Sequence, residues 1–267
     1  KKEKVPLIIV HAHSTKGSDK QSLLYKIYEK SMKSCIRKNS NYFIACGKDA
    51  GEYLFGRKIF SKVTIIPNAI NIENYQNVNV VDIKSFKKNI GLSENTFIIG
   101  QIGSLKDVKN HKFSIKIAKL LKQSGIDFCM FFIGEGVNRR CLEKMIIENN
   151  LSKNIKLLGN RTDIPLLLKM MDVLIMPSLY EGIPVTLIEA QAAGTPSIIS
   201  NNISSEVDFK LGLIKILELD EELWVQEINN IIHNRPSVEY SKIEKEFKNR
   251  EYLIEQSVTK LTYIYNN

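Results

Sequence analysis

From Asn95 onward the chain alternates short, continuously apolar runs with longer stretches whose apolar residues recur every three or four positions. The runs TFIIGQIG, DFCMFFIG, NIKLLGN, DVLIMPS and PSIIS have strand length, whereas NHKFSIKIAKLLKQSG, NRRCLEKMIIENN, DIPLLLKMM and PVTLIEAQAAG have helical spacing. Strands apolar on both sides and separated by helices predict a parallel sheet covered on both faces, which is an α/β, Rossmann-like doubly wound domain. Before Asn95 the alternation is shorter: PLIIVHAH, a helix over about Gln21 to Lys38, NYFIAC, a helix near KDAGEYLFG, then KVTIIPN. That is part of a second α/β domain. Between the two, NAINIENYQNVNVVDIKSFKKN is rich in Asn and poor in apolar periodicity, so it reads as a linker over residues 70–90. The tail from Asp220 is helical, with ELWVQEINNII and REYLIEQSVTKLTYIY apolar on one side.

With 267 residues and 43% hydrophobic content, the chain can bury one large core or two smaller ones, and length favours two. No apolar run approaches the roughly 18–20 residues that a membrane-spanning helix needs. The first residues lack the apolar core and cleavage site of a secretory signal. Cys35, Cys46, Cys129 and Cys141 are widely spaced without a C-x-x-C pair, which predicts reduced, structural thiols in a cytoplasmic protein and no zinc site. A formal charge of +9 favours an anionic partner, whether nucleic acid, acidic lipid or phosphorylated small molecule. One Trp, and no zinc-finger or RNA-binding pattern, argue against a nucleic-acid reader.

The segment PSLYEGIPVTLIEAQAAGTP carries two carboxylates in apolar surroundings, Glu181 and Glu189. Pro184 predicts a helix start and Gly194 its stop. Glu181 then lies just before the helix, and Glu189 about five residues in, roughly 7–8 Å along the axis. A helix N-terminus at the carboxyl end of a parallel strand suits a diphosphate, and the two carboxylates could accept ribose hydroxyls and sugar hydroxyls on either side of it. In the plainer alternative Glu181 only complements the helix dipole and Glu189 is solvated. Flanking Leu187, Ile188, Ala190, Ala192 and Ala193 favour packing around Glu189 over solvation.

PSLYEGIPVTLIEAQAAGTPSIIS resembles the E-x7-E region of retaining glycosyltransferase family four, and GSLKDVKNHKFSI and PNAINIENY look like two further landmarks of it. The similarity covers most of the chain and is greatest to exopolysaccharide and capsular-polysaccharide transferases. It implies a GT-B fold of two Rossmann-like domains. The acceptor-side domain is expected at residues 1–75, the donor-binding domain at 76–249, and a last helix, 250–267, packing back on the first. By this resemblance Glu189 binds the donor ribose and Glu181 the transferred sugar, while Gly182, Ile183 and Val185 meet the diphosphate through their backbone. Lys109 neutralises the departing diphosphate in place of a metal ion, Gly103 and Ser104 line the same strand end, and Gly136 gives the nucleotide close approach. Arg161 lies near the base, and His13, more than His11, matches the active-site histidine. No cofactor is implied; the donor is a nucleotide diphosphate sugar, by family UDP-linked, and the acceptor a saccharide or lipid-linked saccharide at the inner face of the membrane.

A basic helix over residues 20–38 sets Lys20, Lys26, Lys30, Lys33, Arg37 and Lys38 against Leu23, Leu24, Ile27, Tyr28, Met32, Cys35 and Ile36. That stripe reads more readily as domain core than as a contact with anionic lipid. Ser104, Ala69 and Gly47 stand where relatives commonly carry Arg, Gly and Ser. Relatives also begin with further βα units, so the N-terminal domain is expected to be incomplete. Besides a transferase, the pattern admits a nucleotide-sugar-binding remnant or partner subunit, or a GT-B epimerase.

Overall fold

The computed structural model describes residues 5–13 and 22–266. The chain divides into two compact units, residues 1–70 with 249–267, and residues 71–248.

In the first unit, β1 (Ile9–Ala12), α1 (Leu23–Asn39), β2 (Tyr42–Ala45), α2 (Lys48–Phe55) and β3 (Val63–Ile65) follow in order, and the strands pair in parallel as β1-β2-β3. Alternation along β2 sorts its side chains between the two faces. Phe43 and Ala45 pack with Ala12, Ala50 and Phe55, while Ile44 packs with Ile66 and with Ile264 of the C-terminal helix, Ile254–Asn266.

Most of the apolar stripe of α1 is not core, contrary to the sequence expectation, and within it Ile36, at the C-terminal end, packs half-buried against the Phe43, Ala45, Ala50 and Phe55 cluster. Leu23, Leu24, Ile27 and Tyr28 are 59–79% exposed, and no residue of the helix is buried. The polar edge makes the rest of the attachment. Tyr53 donates to Glu29, Lys33 pairs with Glu29 and lies 3.4 Å from the Tyr53 ring centroid, and Arg37 donates to the Phe55 carbonyl. Polar anchoring through α2 thus turns the N-terminal part of the stripe outward. Lys20 lies outside the described residues.

The second unit runs α3 (Glu73–Gln76), α4 (Val80–Asn89), β4 (Phe97–Ile102), α5 (His111–Gln123), β5 (Phe128–Ile133), α6 (Arg139–Glu148), β6 (Ile155–Gly159), α7 (Ile164–Met170), β7 (Val173–Met176), α8 (Val185–Ala193), β8 (Ser197–Ser200), β9 (Ile214–Leu217), α9 (Glu221–His233) and α10 (Tyr240–Asn249), before α11 (Ile254–Asn266). All six strands are parallel, in the order β6-β5-β4-β7-β8-β9. Chain order therefore reverses between β4 and β7, the point at which an open α/β sheet leaves a crevice at its carboxyl edge. β5 and β7 are buried along their whole length, as their unbroken apolar runs require, and β8, Ser-Ile-Ile-Ser, is buried too, with Ser200 donating to the Ser178 carbonyl.

Residues 70–90 are not a loose linker. Asn79 accepts a hydrogen bond from the Val81 amide and starts α4, and α3 packs on α7 and α8 through the buried Tyr75. Asparagine here serves as helix cap as well as turn residue, which composition alone does not distinguish.

Two buried groups make the core of this unit testable. Trp224 is fully buried, stacks edge-on against Phe113 with centroids 5.3 Å apart, and donates its indole N–H to the Glu218 carbonyl at 2.6 Å. Trp224→Ala is expected to cost about 3–5 kcal/mol of unfolding free energy in urea titration. His111 is 3% exposed, meets the Phe132 ring edge-on, and has no partner for Nε2 among the described residues. Burial, helped by the Lys109 charge, pushes its pKa down to about 4 from 6.5. The unfolded chain therefore binds a proton between these values that the folded chain does not, so stability falls as pH drops from about 6.5 toward 4. By pH 4.5 this loss is about 2–3 kcal/mol. Urea titrations at pH 7 and 4.5 should show a smaller drop for His111→Leu than for the native chain; an equal drop would rule the histidine out as its source.

Candidate functional site

The loops leaving the carboxyl ends of β4, β5, β6 and β7 are joined by backbone hydrogen bonds. Gly103 N–H donates to Ile133, Leu105 to Glu135, Asn138 back to Leu105, Gly134 to Gly159, and Leu179 to Val108, all at 2.8–3.0 Å. The last of these links the loop after β7 to the turn that carries Lys109. A buried polar pair fixes that turn from below, since Gln101 of β4 donates to the Lys109 carbonyl at 2.6 Å and Ser114 of α5 donates to Gln101 Oε1 at 2.7 Å. Sequence reading gave no hint of either residue.

Lys109 Nζ reaches Glu181 Oε1 at 2.6 Å, with both side chains more than four-fifths covered. Glu181 Oε1 is out of solvent and receives no directed hydrogen bond, so the lysine charge balances it among the described residues. Glu181 is held in place by a parallel backbone bridge to Ile203, not as a cap of α8. The N-terminus of α8, with Pro184 at its cap, has neither a side-chain cap nor an acidic residue in its first turn. Its first amides are therefore available to an anion. Gly182 and Ile183 form the half-buried approach to it, and Val185, the first helical residue, is 37% exposed.

Glu189, the fifth residue of α8, is half-buried among covered Leu187, Ile188 and Ala190. Its Oε1 accepts a hydrogen bond from the Tyr75 hydroxyl at 2.7 Å. This partner, 114 positions away, lies within a segment that reads as linker, and its signal in the sequence is that it closes the family landmark PNAINIENY.

A cavity of about 350 Å³ opens beside this edge, lined by Gly103, Ser104, Gly134, Glu135, Asn160 and Arg161 together with apolar Ile102, Ile133 and Ile164. Three of the sequence-derived positions, Gly103, Ser104 and Arg161, meet there. Arg161 is fixed by a two-pronged pair with Asp163 at 2.8 and 2.6 Å and lies over the Phe86 ring; its guanidinium holds the Asp163 carboxyl below the usual carboxylate range. Gly103 has φ +152°, and a Cβ there would sit 2.8 Å from Lys109 Cε, so its hydrogen leaves room for the lysine stem. Gly136 is outside the lining. A Cβ there would be 2.5 Å from the Leu105 carbonyl oxygen, so this glycine is required by backbone packing of two loops.

His13 belongs to the other unit. It follows β1, is exposed, lies with Nδ1 3.1 Å from Asn68 Oδ1, and stacks with His11 at a centroid separation of 6.1 Å. Burial, and the neighbouring His13, lower the pKa of His11. Among the described residues no helix is long and apolar enough to cross a membrane, and no three His, Cys, Asp or Glu side chains are grouped to hold a metal ion.

Comparison with known proteins gives this geometry a context. The chain is 34% identical over 98% of its length to a protein named glycosyltransferase EpsF of Bacillus subtilis, spanning 69% of that protein. It is 29% identical over 81% of its length to the Escherichia coli UDP-Gal:alpha-D-GlcNAc-diphosphoundecaprenol alpha-1,3-galactosyltransferase, spanning 58% of it. The capsular polysaccharide biosynthesis glycosyltransferase CapH of Staphylococcus aureus is 28% identical over 87% of the chain, which spans 64% of CapH. Among solved structures, Anabaena HepE in complex with UDP superposes with a TM-score of 0.79 at 16% identity, covering 97% of this chain and 72% of HepE. WaaG, a glycosyltransferase involved in lipopolysaccharide biosynthesis, superposes at 0.73 with 14% identity, covering the whole of this chain and 80% of WaaG. These likenesses establish a GT-B fold. The family model for glycosyl transferases group 1 matches residues 82–252, and the chain belongs to that family.

Proposed function

We propose that this chain carries the donor site of a retaining, metal-independent glycosyltransferase that takes a UDP-linked sugar and passes it to a saccharide or lipid-linked saccharide in surface polysaccharide synthesis. The observation that carries the reading is the Lys109–Glu181 ion pair beside the uncapped N-terminus of α8, at the point where strand order reverses. The names of relatives support the donor and the pathway, since one is a UDP-Gal transferase, one a capsular transferase, and a structural neighbour is a complex with UDP.

Without ligand, the lysine and glutamate neutralise each other in a largely covered position. A nucleotide diphosphate sugar offers each a better partner. Its diphosphate draws Lys109 and the α8 amides, and its sugar hydroxyls donate to Glu181, while the ribose hydroxyls donate to Glu189. As the bond between the anomeric carbon and the diphosphate oxygen breaks, negative charge grows on the leaving group, and Lys109 stabilises it electrostatically with no metal required. The acceptor oxygen bonds to the same face of that carbon, and its proton passes to the departing phosphate oxygen, so configuration is retained and charge balances. The reaction belongs to the cytoplasm, at the inner face of the membrane where lipid-linked acceptors reside.

Calorimetric titration without metal, using UDP, GDP, ADP and their sugars, tests the reading. One nucleotide family should bind, and Lys109→Ala and Glu189→Ala should each weaken it by about 10- to 100-fold while the proteins stay folded. Absence of binding by the folded native chain, or binding indifferent to both substitutions, would reject the donor site.

A further inference from the structure

Glu189 is a carboxylate with one hydrogen-bonded oxygen. The Tyr75 hydroxyl occupies Oε1 at 2.7 Å, and Oε2 has no protein partner among the described residues. On α8 itself the residues three and four positions from Glu189 are Val185, Thr186, Ala192 and Ala193, and among the described residues none of them donates a hydrogen bond to its carboxylate. Tyr75 is 7% exposed, and α3, which carries it, packs against α7 and α8, so the hydroxyl is delivered by a ring that is itself held in place. Burial and the Glu189 charge both raise the Tyr75 pKa, so the phenol remains a donor throughout the working pH range.

We propose that Tyr75 is a positioning residue for nucleoside recognition, one that holds the Glu189 carboxylate so that Oε2 and the remaining lone pair of Oε1 face the vicinal hydroxyls of the donor ribose. The proposal rests on the assignment of Glu189 to the ribose made above. A carboxylate offers about four acceptor sites, and the tyrosine uses one, so two ribose hydroxyls can still be satisfied together. Without the phenol, the carboxylate must give up its rotamer freedom when the nucleotide arrives, and ribose binding weakens. The phosphate contacts, made elsewhere along α8 and by Lys109, stay as they are. The signature is therefore a loss of discrimination between ribose and a sugar lacking its hydroxyls, and not a general loss of affinity.

The test compares UDP with 2′,3′-dideoxy-UDP by isothermal titration on the native chain, Tyr75→Phe, Glu189→Gln and the double variant, with thermal unfolding of each as a folding control. Tyr75→Phe keeps the ring that α3 packs around. In the native chain UDP is expected to bind about tenfold or more tighter than its dideoxy counterpart. Tyr75→Phe should weaken UDP by about 3- to 10-fold, leave the dideoxy compound within about twofold, and add nothing further in the Glu189→Gln background. If Tyr75→Phe weakens both ligands equally, or neither, the tyrosine is a structural anchor of α3 and the proposal fails while the ribose assignment stands. If Glu189→Gln leaves the discrimination intact, Glu189 does not meet the ribose, and assignment and proposal fall together. Should GDP or ADP prove the bound nucleotide, its own dideoxy counterpart takes the place of the uridine pair; binding of none of the three rejects both.

Discussion

Reversal of strand order between β4 and β7 is the constraint on which the site depends. Two adjacent parallel strands whose chains leave for opposite faces of the sheet must diverge at their carboxyl ends, and the crevice between their loops cannot be filled by either crossover. The charged groups are suspended from the two sides of that divergence, Lys109 from the loop after β4 and Glu181 from the loop after β7. Backbone hydrogen bonds fix the loops, and Gln101 with Ser114 fixes the Lys109 turn from inside the sheet. What is left adjustable is the lysine stem lying over Gly103 and the carboxylate it meets.

On the proposed reading, that pair also selects its ligand. A covered lysine and glutamate repay their lost hydration mainly through each other, and removing one partner strands the other at a cost of about 3–5 kcal/mol. A ligand that supplied only an anion would take Lys109 and leave Glu181 unpaired. A ligand with hydroxyls alone would do little for the lysine. Diphosphate and sugar, joined at a fixed short distance, replace both partners at once, which is the physical case for a nucleotide sugar over free phosphate or free saccharide.

Most strands of the second unit were legible because burial on both faces leaves an unbroken apolar run, as in FCMFFI and VLIM. β9 was not, since the edge strand IKIL exposes Lys215 and Ile216 and so carries no such run. The helical pattern of α1 was legible, but the side it buries was not. Its attachment runs through Glu29, Lys33 and Arg37 beside one stripe residue, Ile36, and hydrophobicity is blind to a helix held mainly by its polar edge. At the site, spacing around Pro184 and Gly194 located an uncapped helix start and the two glutamates, and family resemblance supplied the lysine. The contacts that set their geometry, Gln101 to Lys109 and Tyr75 to Glu189, join side chains to distant partners and leave no periodicity to read.

Glu189 shows why such contacts matter. A carboxylate half-buried on an otherwise apolar helix loses hydration that a single phenol hydrogen bond, worth about 1.5–3 kcal/mol to a charged group, only partly restores. Packing alone would be better served at this position by isoleucine or alanine, the residues on either side of it in the helix. The unmet part of that cost is a standing preference for a polyhydroxyl ligand, because donors brought by the ligand complete a coordination that the protein has left open on one oxygen. On the proposed reading, the same residue lowers the stability of the empty fold and raises its affinity for the nucleoside. A strained polar position of this kind is the expected mark of a binding site built into a helix that otherwise belongs to the core.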